Sequence, residues 1–168
     1  MTPSHLGLSA GDLAAELNAQ QGGVLTSFRK SGFELLSKTP WADTVGSWDT
    51  PAKEEPTWVS RWRGGWQLCA PSTGEADPHS VEPAFHGAAS QASWNVISSD
   101  SLSATLEWHD AQGVFSITRR WVLEPPNRVR VETAMKNLSR ESQRYGVAEH
   151  LILGSDFLEP CKRGLAAK

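Results

Sequence analysis

The sequence predicts an all-β protein, a large antiparallel β-sandwich, and three observations carry that reading. From residue 93 onward apolar and polar residues alternate: Leu102, Ala104, Leu106 and Trp108 interleave with Ser103, Thr105 and Glu107, and Val129, Val131 and Thr133 with Arg128, Arg130 and Glu132. Successive strand residues point to opposite faces, so this period marks strands with one buried and one solvated face. Turn signals recur at short intervals, at Ser99-Asp100, 110–113, Pro125-Pro126-Asn127 and 137–142. No convincing helical period follows residue 20.

In chain order, residues 1–11 are polar and glycine-containing and read as a loose start. Residues 12–19 are rich in helix formers, and Ser9 followed by Asp12 resembles a capping box, which favours a short helix. Gly22-Gly23 punctuates the chain; 24–29 alternates as a strand, Ser31-Gly32 turns, and 33–36 returns as its hairpin partner. Residues 37–57, with Pro40, Pro51 and Pro56, form a long loop. Residues 58–62 alternate bulky and polar side chains before Gly64-Gly65 breaks the pattern, and 70–87 form a second long loop. Strands are then expected at 93–98, 102–109, 113–123, 127–136 and 145–153.

Composition narrows the function. The chain has 168 residues and a net charge of −3, enough for one core and without the basic stripe of a nucleic-acid binder. The local basic pairs Arg61/Arg63, Arg119/Arg120 and Arg128/Arg130 read as solvated sheet faces, the sharper alternative being contact with a phosphate or a sugar hydroxyl. The cysteines, Cys69 and Cys161, form no CxxC pattern and are too few for a disulfide scaffold. No secretory signal pattern and no membrane-length apolar run is present, which predicts a cytoplasmic chain with free thiols; Asn137-Leu138-Ser139 is then an accidental glycosylation sequon. Eight tryptophans accompany a single tyrosine. An indole offers a face to the C–H face of a sugar and an N–H to a hydroxyl, so one or two of them are expected at a site and the rest in the core.

The five histidines are His5, His79, His86, His109 and His150, with no HExxH or other close ligand spacing, so no metal site is expected. No GxSxG, Walker or GxGxxG pattern occurs. His86 ends the second long loop beside Gly87, and His150 lies within an apolar strand; imidazole moves protons near neutral pH, although a strand histidine is more often a satisfied core residue. Glu149, adjacent to His150, would point to the opposite face and is a poor candidate for a base in the same pocket. His109, near a turn, is expected to be exposed.

Several segments, taken in order, resemble the aldose 1-epimerase (galactose mutarotase-like) family. They are Gly22-Gly23-Val24-Leu25-Thr26-Ser27-Phe28 with Gly32-Phe33-Glu34-Leu35-Leu36; Arg63-Gly64-Gly65-Trp66 through Pro71-Ser72-Thr73-Gly74; Phe85-His86-Gly87 with Trp94-Asn95-Val96; the strand ending in Asn137-Leu138-Ser139; and Glu149-His150-Leu151-Ile152-Leu153-Gly154 with Phe157-Leu158. The resemblance spans about residues 22–160. It implies the family's supersandwich fold, with residues 12–19 as a strand. It also implies a single domain over 1–168 that forms the N-terminal part of a longer family domain, incomplete at its C-terminus.

The resemblance further implies sugar chemistry without cofactor or metal, on a hexose or a sugar phosphate; the charge balance and the lack of a long apolar run add the expectation of no nucleic-acid or membrane partner. His86 matches the histidine that binds and polarises the sugar, and His150 the general acid. Arg63, Trp66 and Gly87 match substrate-binding positions, and the family's general base, a glutamate, would lie beyond residue 168. Two departures bear on this: Ser72 stands where asparagine is frequent, and Ala88 where an acidic residue is common. The function expected is an isomerase interconverting the anomers of an aldose. The alternatives are a non-catalytic carbohydrate-binding β-sandwich and an inactive truncated homologue.

Overall fold

Two antiparallel sheets enclose one apolar layer. The computed structural model describes residues 5–42, 50–80 and 82–155. In chain order the elements are β1 (His5–Ala10), β2 (Leu13–Asn18), β3 (Val24–Lys30), β4 (Phe33–Glu34), α1 (Glu55–Arg61), β5 (Trp66–Cys69), a 3₁₀ turn (Ala88–Ser90), β6 (Asn95–Ser99), β7 (Ser103–His109), β8 (Phe115–Glu124), β9 (Arg128–Asn137) and β10 (Ala148–Leu151). The first sheet runs β1-β2-β3-β5-β10, with β4 on β3; the second runs β6-β7-β8-β9. The expected all-β sandwich is therefore present.

Alternation builds the core. Leu6 and Leu8, Leu13, Ala15 and Leu17, Leu25 and Leu68 point inward from the first sheet. They meet Ala104, Leu106 and Trp108 of β7 and Phe115, Ile117, Trp121 and Leu123 of β8 in one cluster. Trp94, Trp108 and Trp121 belong to this layer, and Trp66 packs against it. Trp48 lies outside the described residues.

Three expectations fail. Residues 12–19 form strand β2 rather than a helix: Leu13, Ala15 and Leu17 also recur at period two, and pairing with β1 and β3 on both sides outweighs helix propensity. The loose start is β1, whose register with β2 runs from His5↔Asn18 to Ala10↔Leu13. A helix does occur after residue 20: Pro at its first turn presets the backbone of α1, which carries Trp58 and is closed at its C-terminus by Trp62. Five residues of bulky–polar alternation are too few to separate a period of two from one of 3.6.

The basic pairs divide. Arg128 and Arg130 pair with Glu124, and Arg120 with Glu132, on the exposed face of the second sheet. Arg119 departs from that reading: its side chain is fully buried between the sheets. His109 is exposed beside Glu107. In the sequon, the Asn137 amide donates to the Glu141 carbonyl and its oxygen accepts from the Ser139 N–H, so both ends of the amide are engaged. Cys69 is a buried free thiol, and burial pushes its pKa up to about 12.

Candidate active site

His86 and His150 come together although one ends a loop and the other sits on β10. Their ring centroids are 5.5 Å apart. β10 pairs with β5 in the register His150↔Gln67, which places His150 on the face of the first sheet turned away from the core. His86 is held by its loop: its backbone N–H donates to the Gly74 carbonyl at 2.8 Å, and its Nδ1 accepts from the Gly74 N–H at 3.0 Å. An Nδ1 that accepts carries no proton, so in this arrangement His86 is a neutral imidazole with its proton on Nε2. His86 and Gly87 both have positive φ, and a Cβ on Gly87 would stand 2.1 Å from the Ala70 carbonyl oxygen. Gly87 thus lets the backbone press against the end of β5; it acts through the turn.

Trp58 of α1 and Trp62, the residue that follows the helix, line the histidines. Trp58 meets His86 edge-on at 4.7 Å and His150 at 5.8 Å, Trp62 meets His150 at 5.1 Å, and the two indoles stack at 5.4 Å. Phe85 completes the cluster against Trp58 and His86. Burial among these rings pushes both histidine pKa values down. The charge of His150 pushes His86 further down, while Glu55 pulls it partly back. Both imidazoles are therefore biased towards the neutral form, and the Nδ1 of His150 has no hydrogen-bond partner among the described residues.

Gln91, which no sequence pattern singles out, sews this site together. Its buried amide accepts from the Ala52 N–H at 2.6 Å and donates to the carbonyls of Ala52 (3.1 Å) and Phe85 (2.8 Å). It ties the segment before α1 to the segment before His86. A buried glutamine carries no sequence signature that separates it from a surface one.

Arg63 lies between α1 and β5 and lines a groove with Trp62, Gln67, Asn18 and Thr26, next to the histidine cluster. Gln67 is 3% exposed, and its Nε2 has no hydrogen-bond partner among the described residues. Trp66 stands apart. Its ring lies edge-on to Trp121 at 5.3 Å and its Nε1 donates to Glu149 Oε2 at 2.7 Å, on the core-facing side of β5. Glu149 likewise points to the core side, as the alternation predicts, and ion-pairs with Arg119 at 2.9 Å. Ser72 is buried and donates to the Ala84 carbonyl, and Ala88 is fully buried. Among the described residues no group of three or more His, Cys, Asp or Glu is placed to hold a metal, and no helix is long and apolar enough to cross a membrane.

No protein-family model and no curated protein sequence matches the chain. Solved structures do. The Slr1438 protein of Synechocystis superimposes with a TM-score of 0.71 at 17% identity, over 91% of this chain and 55% of its own. A galactose mutarotase-like protein of Lactobacillus casei gives 0.64 at 14% identity, over 90% and 52%. A galactose mutarotase related enzyme of Lactobacillus acidophilus gives 0.63 at 16% identity, over 88% and 48%. The chain therefore has the galactose mutarotase-like fold that its motifs resemble, and it spans about half the length of these structures.

Proposed function

We propose that the face bearing His86, His150, Trp58 and Trp62 belongs to a sugar site, and that the chemistry there is interconversion of the α and β anomers of an aldose. The observation that supports this reading is the meeting of two histidines from distant segments at 5.5 Å, walled by aromatic rings, on a fold shared with galactose mutarotase-like proteins. The reaction needs a proton removed from the anomeric hydroxyl and one delivered to the ring oxygen. The C1–O5 bond breaks, the open-chain aldehyde rotates about C1–C2, and closure on the other face returns both protons.

In this reading His150 gives the proton to the ring oxygen, and His86, with its proton on Nε2, donates to the ring oxygen or a neighbouring hydroxyl. Arg63 and Gln67, along the adjoining groove, offer donors to further hydroxyls. The base is a group other than Glu149, whose carboxylate is directed to Arg119 on the opposite face.

Polarimetry of freshly dissolved α-glucose and α-galactose tests this. In the full-length protein, with the base supplied, the approach to equilibrium should be faster than in buffer, and His150→Ala should return it to the buffer rate. A wild-type rate in that variant sinks the assignment. A second reading, sugar binding without turnover, is favoured by the inward positions of Ser72 and Ala88. It predicts that sugars shift the tryptophan fluorescence while the optical rotation follows the blank.

A further inference from the structure

We infer that Arg119 is a positioning residue for His150, acting through Glu149 from the interior of the sandwich. The inference rests on the proposed role of His150. β10 is four residues long, ends the first sheet, and pairs only with β5 among the described strands. Its side chains other than His150 are exposed, so apolar burial contributes little to holding it. What reaches it from the other sheet is Arg119.

The Nη2 of Arg119 donates to Glu149 Oε2 at 2.9 Å, and the Trp66 indole donates to the same oxygen at 2.7 Å. Arg119 is fully buried and its guanidinium carbon sits 4.6 Å from the centre of the Trp121 ring, which fixes where the charge lies. Its Nε and Nη1 have no hydrogen-bond partner among the described residues, so Glu149 is the counter-charge of a cation shielded from water. In the next residue along β10 the side chain emerges on the opposite face, and that residue is His150. Anchoring Glu149 from inside therefore sets the height and tilt of the His150 ring against Trp58, Trp62 and His86.

The backbone of β10 is paired to β5, and Glu149 is where the opposite sheet also holds it, so the set of the His150 ring should depend on the length of the Glu149 side chain. Arg119→Met, which fills the volume and leaves Glu149 able to reach water, should lower kcat for anomer interconversion by tenfold or more while KM stays within about threefold. Glu149→Asp, charged but one methylene short, should lose as much. Glu149→Gln, which keeps the length and an acceptor oxygen but leaves Arg119 without its counter-charge, should be less stable than wild type, yet lose only about threefold in kcat under conditions where it is folded. Exchange of the β7 and β8 amides should match wild type, which separates a moved histidine from a loosened sandwich.

Two outcomes overturn the inference: wild-type kcat in Arg119→Met, or a Glu149→Gln variant as inactive as His150→Ala while its β7 and β8 amides exchange as in wild type, which would make Glu149 a reacting group. Should wild type itself show no turnover, the proposed reaction fails and the positioning is read by NMR. The His150 imidazole, whose charged and titratable neighbours include His86, should then titrate closer to the ordinary histidine value of 6.5 in Arg119→Met than in wild type. The β10 amides should also exchange faster. Unchanged titration and exchange would refute the positioning independently of any reaction.

Discussion

Replacing Trp58 with alanine tests whether α1 is what dries the two histidines. Trp58 is 3% exposed and touches Trp62, Phe85, His86 and His150, with ring centroids between 4.7 and 5.8 Å. It forms a small cluster with Ala52, Phe85 and Trp62, separate from the main core. Truncating a buried tryptophan costs about 3–5 kcal/mol. A domain is stable by about 5–15 kcal/mol, so the main core should survive a loss confined to the satellite. Opening α1 by even about 1.4 kcal/mol relative to its docked state changes its population tenfold.

Water should then reach both imidazoles, and their pKa values, held down by burial, should climb towards 6.5. The assay is a proton NMR titration of the ring protons, paired with urea unfolding followed by far-ultraviolet circular dichroism. Histidines that titrate as in wild type, in a variant whose α1 amides have lost exchange protection, would refute the claim that this helix sets their environment.

Three further outcomes follow from the same geometry. Gly87→Ala should lower stability by at least about 2 kcal/mol, because positive φ is costly for alanine and its Cβ would overlap the Ala70 oxygen; Gly113→Ala, also at positive φ but with open space around it, should cost less, and equal melting temperatures for the two would contradict the contact. The histidine shifts also set a pH dependence. Folded pKa values below 6.5 mean that the unfolded chain binds more protons, so this stability is present above pH 6.5 and is lost as pH falls through the folded values. Urea midpoints between pH 7.5 and 5 should fall in wild type and flatten in a His86→Asn/His150→Asn variant; parallel curves would show that neither histidine is responsible. Finally, with its thiol pushed up to about 12, Cys69 in a Cys161→Ser background should resist disulfide reagents at pH 8 until urea unfolds the chain, and rapid labelling of the native state would show that β5 is not covered as described.

Much of the sandwich was legible because strand burial repeats every two residues, a signal present in any stretch long enough to count. Ser103 to His109 shows inward Ala104, Leu106 and Trp108 as the alternation requires, and the hairpin around Ser31-Gly32 falls where the turn residues put it. The opposite orientations of Glu149 and His150 followed from the same rule. The pattern of residues 12–19 served two periods at once, and only the neighbouring strands decided between them. In α1 the stretch was too short for its period to be counted, so the stacked pair of Trp58 and Trp62 had no readable signal.

What the sequence determined by itself is local and periodic: which side of a strand a residue faces, where the chain turns, and which side chains could move a proton. Tertiary structure decided what meets what. Trp66, chosen from a Gly-Gly-Trp motif, faces the core, while Trp58 and Trp62, which no motif marks, wall the histidines. Arg119, in a basic pair that reads as solvated surface, is a buried cation whose counter-charge sits on β10 beside His150. Such partnerships depend on sheet pairing between segments far apart in the chain, and a local period carries no record of which distant strand will lie alongside.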